Sequence, residues 1–324
     1  GAGLSTGLVY APAMFAEPDE IVALAEVVAR HGGIYATHMR SEGTRLLEAI
    51  DEALAVARQT GVRLQISHLK TSGRANWHKL DAALGKIEAA QAEGIEVASD
   101  RYPYTASCTD LDVILPTWAG QDGRAAILAR LRDPEIRAKI RAEMLAEREE
   151  DYWEGVTIGS THHPDNAAFA GKPLLAAAAA WDLHPLDAAL RLMETDELFT
   201  GGIFFGMSED NMWRILAQPW VMIGSDASIR APQGPLSHDH PHPRAYGTFG
   251  KFLRAVLDGK SVSLPEAVRK MTHLAAEHFR LQDRGVIREG AFADITVIDP
   301  DSLRDQATYE NPHQLCEGVS AVWV

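Results

Sequence analysis

Apolar residues recur at helical spacing and strand spacing in turn along the first third of the chain. Ile21, Leu24, Ala25 and Val28 mark one face of a helix over residues 17–31, and Gly32-Gly33 ends it. A short apolar run then reaches His38. Leu46, Leu47, Ile50 and Leu54 predict a second helix over 43–60, stopped by Gly61, and a second strand runs through Arg63-Leu-Gln-Ile to His68. Trp77, Leu80, Leu84 and Ile87 predict a third helix over 76–93, stopped by Gly94, before a strand through Ile95, Val97 and Asp100. The repeat of about 30 residues is that of one βα unit, and such alternation calls for a parallel sheet covered by helices.

The period breaks near Tyr102. Residues 105–118 read as a long loop, 120–150 as charged helices with Asp133-Pro134 starting the second, and 155–220 as short strands alternating with helices. The βα pattern resumes at Trp220-Val-Met-Ile-Gly-Ser-Asp226. A Gly/Pro/His-rich loop at 228–247 follows, then helices at about 248–258 and 264–282, and a β-like stretch from Gly285. The predicted architecture is α/β: residues 1–282 form the C-terminal half of a (β/α)8 barrel with an insertion at about 119–220, and 283–324 start a small β-sandwich domain. Four barrel strands are expected, ending at His38, His68, Asp100 and Asp226. The chain opens at Gly1 without Met, in what reads as a strand end, and stops in another strand at Val324. It is therefore expected to be an internal piece of a longer protein, with the remaining barrel strands upstream.

Composition narrows the partners. With 31 basic and 45 acidic side chains the net charge is −14, which argues against nonspecific binding to nucleic acid or acidic membranes. Two cysteines, Cys108 and Cys316, imply no disulfide framework and fit a reducing, cytoplasmic setting. No apolar run reaches the roughly 20 residues that span a bilayer.

The strand ends carry the candidate chemistry. In a parallel barrel the carboxyl ends of all strands open onto one face, where catalysis resides. His38 and His68 occupy matching positions of successive units, and neutral imidazole is a common ligand for a catalytic metal. One strand-end histidine alone is more often structural; two in register make the metal reading as good as the structural one. Asp226 completes the outline of a hydrolytic metal site, although an aspartate there also serves as a helix cap. Lys70, Tyr102 and Arg244 each have an ordinary surface or bracing role, yet together offer a point charge, a hydroxyl and a planar fork to a substrate carboxylate. His238, His240 and His242 alternate in a Pro-rich loop and read as loop residues rather than ligands. His162, His163 and His273 have no supporting context, and Cys108 has no evident base beside it.

Six ordered motifs resemble the N-acyl-D-amino-acid deacylases, or D-aminoacylases, of the amidohydrolase superfamily. They are Gly3-Leu-Ser-Thr-Gly-Leu-Val-Tyr10, Ala36-Thr-His-Met-Arg-Ser-Glu-Gly43, Ile66-Ser-His-Leu-Lys70, Asp100-Arg-Tyr-Pro-Tyr104, Gly224-Ser-Asp226 and His240-Pro-His-Pro-Arg-Ala-Tyr-Gly-Thr-Phe249. The resemblance implies zinc held by His38 and His68, Asp226 as catalytic acid/base, and Lys70, Tyr102 and Arg244 on the substrate α-carboxylate with Tyr10 nearby. It implies further metal-binding residues, a His-x-His pair and a cysteine, on strands that precede residue 1. Cys108 stands where many relatives are expected to have serine. The implied reaction is hydrolysis of N-acyl-D-amino acids, small-molecule substrates. The 108–118 segment carries Asp110 and Asp112 but no Arg or Lys, so neutral or hydrophobic side chains are expected. Two alternatives stay open: another linear- or cyclic-amide hydrolase of the superfamily, and a relative that binds a carboxylate without hydrolysis. The sequence leaves the oligomeric state open.

Overall fold

The computed structural model describes residues 3–324. Strand β1 (Gly3–Gly7), helix α1 (Pro18–Arg30), β2 (Ile34–His38), α2 (Leu46–Thr60), β3 (Arg63–Ile66), α3 (Leu80–Ala92) and β4 (Val97–Arg101) follow one another as βα units. The chain then departs through β5 (Ala106–Asp110), α4 (Arg124–Arg132), α5 (Pro134–Ala146), β6 (Val156–Ile158), α6 (Leu174–Trp181), α7 (Pro185–Thr195) and β7 (Gly201–Phe205). It returns through α8 (Glu209–Ala217), β8 (Val221–Ile223), α9 (Arg244–Leu257), α10 (Leu264–Met271) and α11 (His273–His278), and ends with β9 (Ile295–Ile298) and β10 (Val319–Trp323).

Five strands form one parallel sheet in the order β1-β2-β3-β4-β8. Its outer strands, β1 and β8, find no further partner among the described residues. All four residues of β3 are buried, as expected of a strand covered on both faces. Helix α2 shows why the sheet is covered: Leu46, Ile50, Ala53, Leu54 and Ala57 share one face and are buried, while Gly61 ends the helix in a left-handed turn at φ 68°. Gly3 is required by contact, since a Cβ there would sit 1.9 Å from the Ile34 carbonyl oxygen of the neighbouring strand. Arg63, at the start of β3, donates to the backbone carbonyls of Gly32 and His278, tying α11 to the amino ends of the strands.

The departure between β4 and β8 builds its own three-stranded antiparallel sheet, β5-β7-β6, packed on a core that includes Leu111, Leu131, Ile140, Leu174 and Leu190. Residues 105–118 are therefore not a simple loop. Ala106 to Asp110 pair with β7 along their whole length, and a single 3-10 turn follows at Leu111–Ile114. Short polar strands of this kind lack the apolar alternation that marks β2 and β3, and only the distant partner β7 makes them strands. Two helices also differ in extent from the periodic reading. Residues 74–79 form a 3-10 turn before α3, and Thr272 separates α10 from α11. Strands β9 and β10 pair antiparallel and leave Val297, Val322 and Trp323 largely exposed.

Candidate active site

The carboxyl ends of β2, β3, β4 and β8 converge, and there the separate sequence motifs meet. His38 ends β2, and its Nδ1 lies 2.5 Å from Nε2 of His68. His68 sits two residues beyond β3 in a left-handed conformation at φ 39°. Asp226 lies three residues beyond β8, also left-handed at φ 49°. Non-glycine residues in this region are strained, and such strain persists only where surrounding structure holds it. At His68 the holder is Asp100, whose Oδ1 accepts the His68 backbone N–H at 2.9 Å while Oδ2 accepts from Gln65 at 2.6 Å.

One ring nitrogen each from His38 and His68 and a carboxylate oxygen of Asp226 all lie within 4.8 Å of one another. Asp226 Oδ2 is 3.9 Å from His68 Nε2 and 2.9 Å from Arg244 Nη1. Burial, reinforced by His68, lowers the pKa of His38, which favours the neutral imidazole that a metal ligand requires. Two neutral imidazoles and one carboxylate form a donor set that suits zinc.

The remaining expected residues surround this cluster. Tyr102 is wholly buried, with the Arg244 guanidinium 4.7 Å and the Lys70 ammonium 5.8 Å from its ring centre. Its hydroxyl has no hydrogen-bond partner among the described residues, and neither has Arg244 Nη1, although the latter faces Asp226 as an ion pair. A buried hydroxyl and guanidinium nitrogen left without bonds are costly unless a ligand completes them. Tyr10 stands at the rim, its ring 6.1 Å from that of His38, and accepts a hydrogen bond from Thr109 at 3.3 Å. Lys70 turns back toward Glu42, with which it forms an ion pair.

The loop histidines brace the site. His242 is 2 % exposed; its Nδ1 accepts the Arg244 backbone N–H at 2.9 Å, and its Nε2 donates to the Ala106 carbonyl of β5 at 3.1 Å. Burial, with Arg244 beside it, keeps its pKa well below the usual histidine value, so it stays neutral and can accept. His240 donates to the Tyr309 carbonyl. Cys108 lies on β5, its carbonyl accepting from Arg244 at 3.2 Å, and burial raises its thiol. That disfavours the thiolate, the nucleophilic form of cysteine.

Three residues of the site lie within the sequence motifs but were given no role there. Glu42 reaches both His68 and Lys70, and Asp100 holds His68. Arg101 is 1 % exposed; its guanidinium lies 4.3 Å from the centre of the Tyr102 ring, and its Nε and Nη1 have no hydrogen-bond partner among the described residues. Glu42 was within a quoted motif, four residues after His38, but nothing in the spacing says where a loop carboxylate points.

Residues 200–324 match a protein family described as the amidohydrolase family. Over 99 % of its length the chain is 36 % identical to an N-acyl-D-glutamate deacylase of Alcaligenes xylosoxydans xylosoxydans, covering 56 % of that protein. It is 35 % identical to a D-aminoacylase of the same organism, covering 57 % of it. Among solved structures, all of the chain superposes on 58 % of an N-acyl-D-glutamate deacylase of Bordetella bronchiseptica, with a TM-score of 0.80 and 32 % identity. That structure is a complex with zinc and a phosphonate inhibitor that mimics the tetrahedral intermediate. The chain thus spans a little over half the length of the curated relatives it matches.

Proposed function

We propose that this chain, a relative over its whole length of the N-acyl-D-amino-acid deacylases in the amidohydrolase superfamily, carries the strand ends with which a zinc-dependent hydrolase cleaves N-acyl-D-amino acids. The products are a carboxylic acid and a free D-amino acid. The observation that carries this reading is the meeting of His38, His68 and Asp226 within 4.8 Å, with Arg244 2.9 Å beyond the aspartate. On this reading a metal-ligand pair, a proton carrier and a carboxylate-binding fork stand next to one another.

His38 would hold zinc through Nδ1 and His68 through Nε2. Zinc bound there supplies a water of lowered pKa and polarises the acyl carbonyl. Asp226 takes the proton from the attacking water and delivers it to the departing amine nitrogen. Arg244, the Tyr102 hydroxyl and Lys70 hold the substrate α-carboxylate, and Tyr10 closes the rim. With the carboxylate and the amide both fixed, the L-isomer would direct its side chain away from the pocket that receives the D-isomer.

The architecture fits a C-terminal half of a (β/α)8 barrel over 1–282, with an insertion at about 119–220 and part of a small β-sandwich domain at 283–324. Unpaired edges on β1 and β8 are what a barrel arc leaves when its other strands lie elsewhere. No described helix is long and apolar enough to cross a membrane, and both cysteines are free, which fits a cytoplasmic protein.

Side-chain preference is assigned to neutral and hydrophobic residues. Asp110 ends β5 and Asp112 lies in the turn that follows, residues 108–118 contain no Arg or Lys, and an acidic substrate side chain would need a cation. Burial, with Asp110 adjacent, lifts the pKa of Asp112 from 3.8 to about 6. The folded state therefore binds its proton more readily than the unfolded state, so folding stability falls as pH rises from about 4 to about 6. Asp112→Asn is expected to raise the melting temperature at pH 8 and leave it unchanged at pH 3.5; equal effects at both pH values would contradict the buried charge.

The deciding experiment is zinc-supplemented hydrolysis of N-acetyl-D-methionine, its L-isomer and N-acetyl-D-glutamate, by this chain and by a form extended upstream. D-selective turnover of the methionine substrate supports the proposal. Preference for N-acetyl-D-glutamate overturns the side-chain assignment, and better turnover of hydantoins than of any linear amide overturns the substrate class.

A further inference from the structure

His68 faces two ways. Its Nε2 looks toward His38 and Asp226, and its Nδ1 lies 2.7 Å from Glu42 Oε1 and 2.7 Å from the Lys70 ammonium. Glu42 Oε1 in turn pairs with Lys70. We infer that Glu42 is a positioning residue: its carboxylate takes the Nδ1 hydrogen of His68, so that His68 presents the bare Nε2 to the site, and the same oxygen anchors Lys70.

The contact geometry distinguishes this from the opposite arrangement, in which Lys70 donates to Nδ1 and the ring hydrogen sits on Nε2. That arrangement would set an anionic oxygen against an imidazole lone pair at 2.7 Å, which is repulsive. An ammonium can rotate its three hydrogens elsewhere; a carboxylate oxygen can only accept. Burial alone would make Glu42 harder to ionise, but Lys70 and His68 overcome it and hold the carboxyl well below the usual range. The side chains of Glu42 and Lys70 are 19 % and 3 % exposed, so solvent does little to compete for either. A carboxylate on the far nitrogen of a liganding histidine also raises the ligand's basicity and fixes its ring. The consequence for metal affinity rests on the zinc reading above; the placement of the ring hydrogen does not.

The two parts are tested separately. In metal-free chain, imidazole 15N shifts should show His68 protonated at Nδ1; protonation at Nε2 in the unmutated protein overturns the inference without any variant. Glu42→Gln can accept or donate, so it should give mixed His68 tautomers. Zinc affinity, measured by competition with a chromophoric chelator, should then fall about 10- to 100-fold. The metal-free melting curve reports whether the variant folds. Unchanged affinity in a folded Glu42→Gln overturns the metal-directed role. If the unmutated chain binds no zinc, the failure lies with the zinc reading, and the 15N result still decides the role of Glu42 at His68.

Discussion

Asp226→Asn is expected to lower kcat by about 10²- to 10⁴-fold, the usual loss when a general acid/base is removed. The change keeps shape and size, and asparagine tolerates the left-handed backbone that Asp226 adopts at φ 49°. The turn beyond β8 should therefore persist and melting should be little altered. In the proposed reading, what would disappear is the capacity to take a proton from water and return it to the amine. Zinc content should fall far less than turnover, because His38 and His68 remain. The measurement is kcat, KM and bound zinc for the D-selective reaction in a form with turnover. Retention of near-parental kcat at equal zinc loading would remove Asp226 from the proton path.

Arg244→Lys should act on substrate binding instead, raising KM by about 10- to 100-fold, equivalent to roughly 1.4–2.8 kcal/mol, with a smaller change in kcat. Arg244 begins α9 and is 6 % exposed. One of its nitrogens meets Asp226 at 2.9 Å and another the Cys108 carbonyl at 3.2 Å, while the plane lies over Tyr102. A lysine supplies the charge but not the planar fork, and cannot stack in the same way on the ring. Arg244 pairs with Asp226, and in the proposed reading a substrate carboxylate would complete the fork. The clean readout is the ratio of kcat/KM for N-acetyl-D-methionine to that for its carboxamide, which lacks the carboxylate. That ratio should collapse in Arg244→Lys; an unchanged ratio would show that the carboxylate is held elsewhere.

The residues gathered here arrive by two routes. His38 and His68 belong to consecutive βα units, and parallel pairing sets their strands side by side, Ala36 opposite Gln65 and Thr37 opposite Ile66. Asp226 and Arg244 arrive only after more than a hundred residues of independent α/β structure between β4 and β8. The pairing of Asp100 with Met222 and Arg101 with Ile223 brings their strand back into line.

The helical face of α2, the glycine that stops it and the buried runs of β2 and β3 were legible in the sequence because local periodicity encodes them. So was the placing of His38, His68 and Asp226, since each lies at or just past the end of a strand-like run, whereas Arg244 begins α9. Only the tertiary structure made 106–110 a strand, because its partner β7 lies far along the chain and its own residues do not alternate. Only the tertiary structure aimed the Glu42 carboxylate at His68 and Lys70, enclosed His242 against Arg244, and left the Tyr102 hydroxyl without a partner among the described residues. Periodicity records which face of an element avoids water; it does not record where a loop side chain goes, which is decided by the long-range contacts that enclose it.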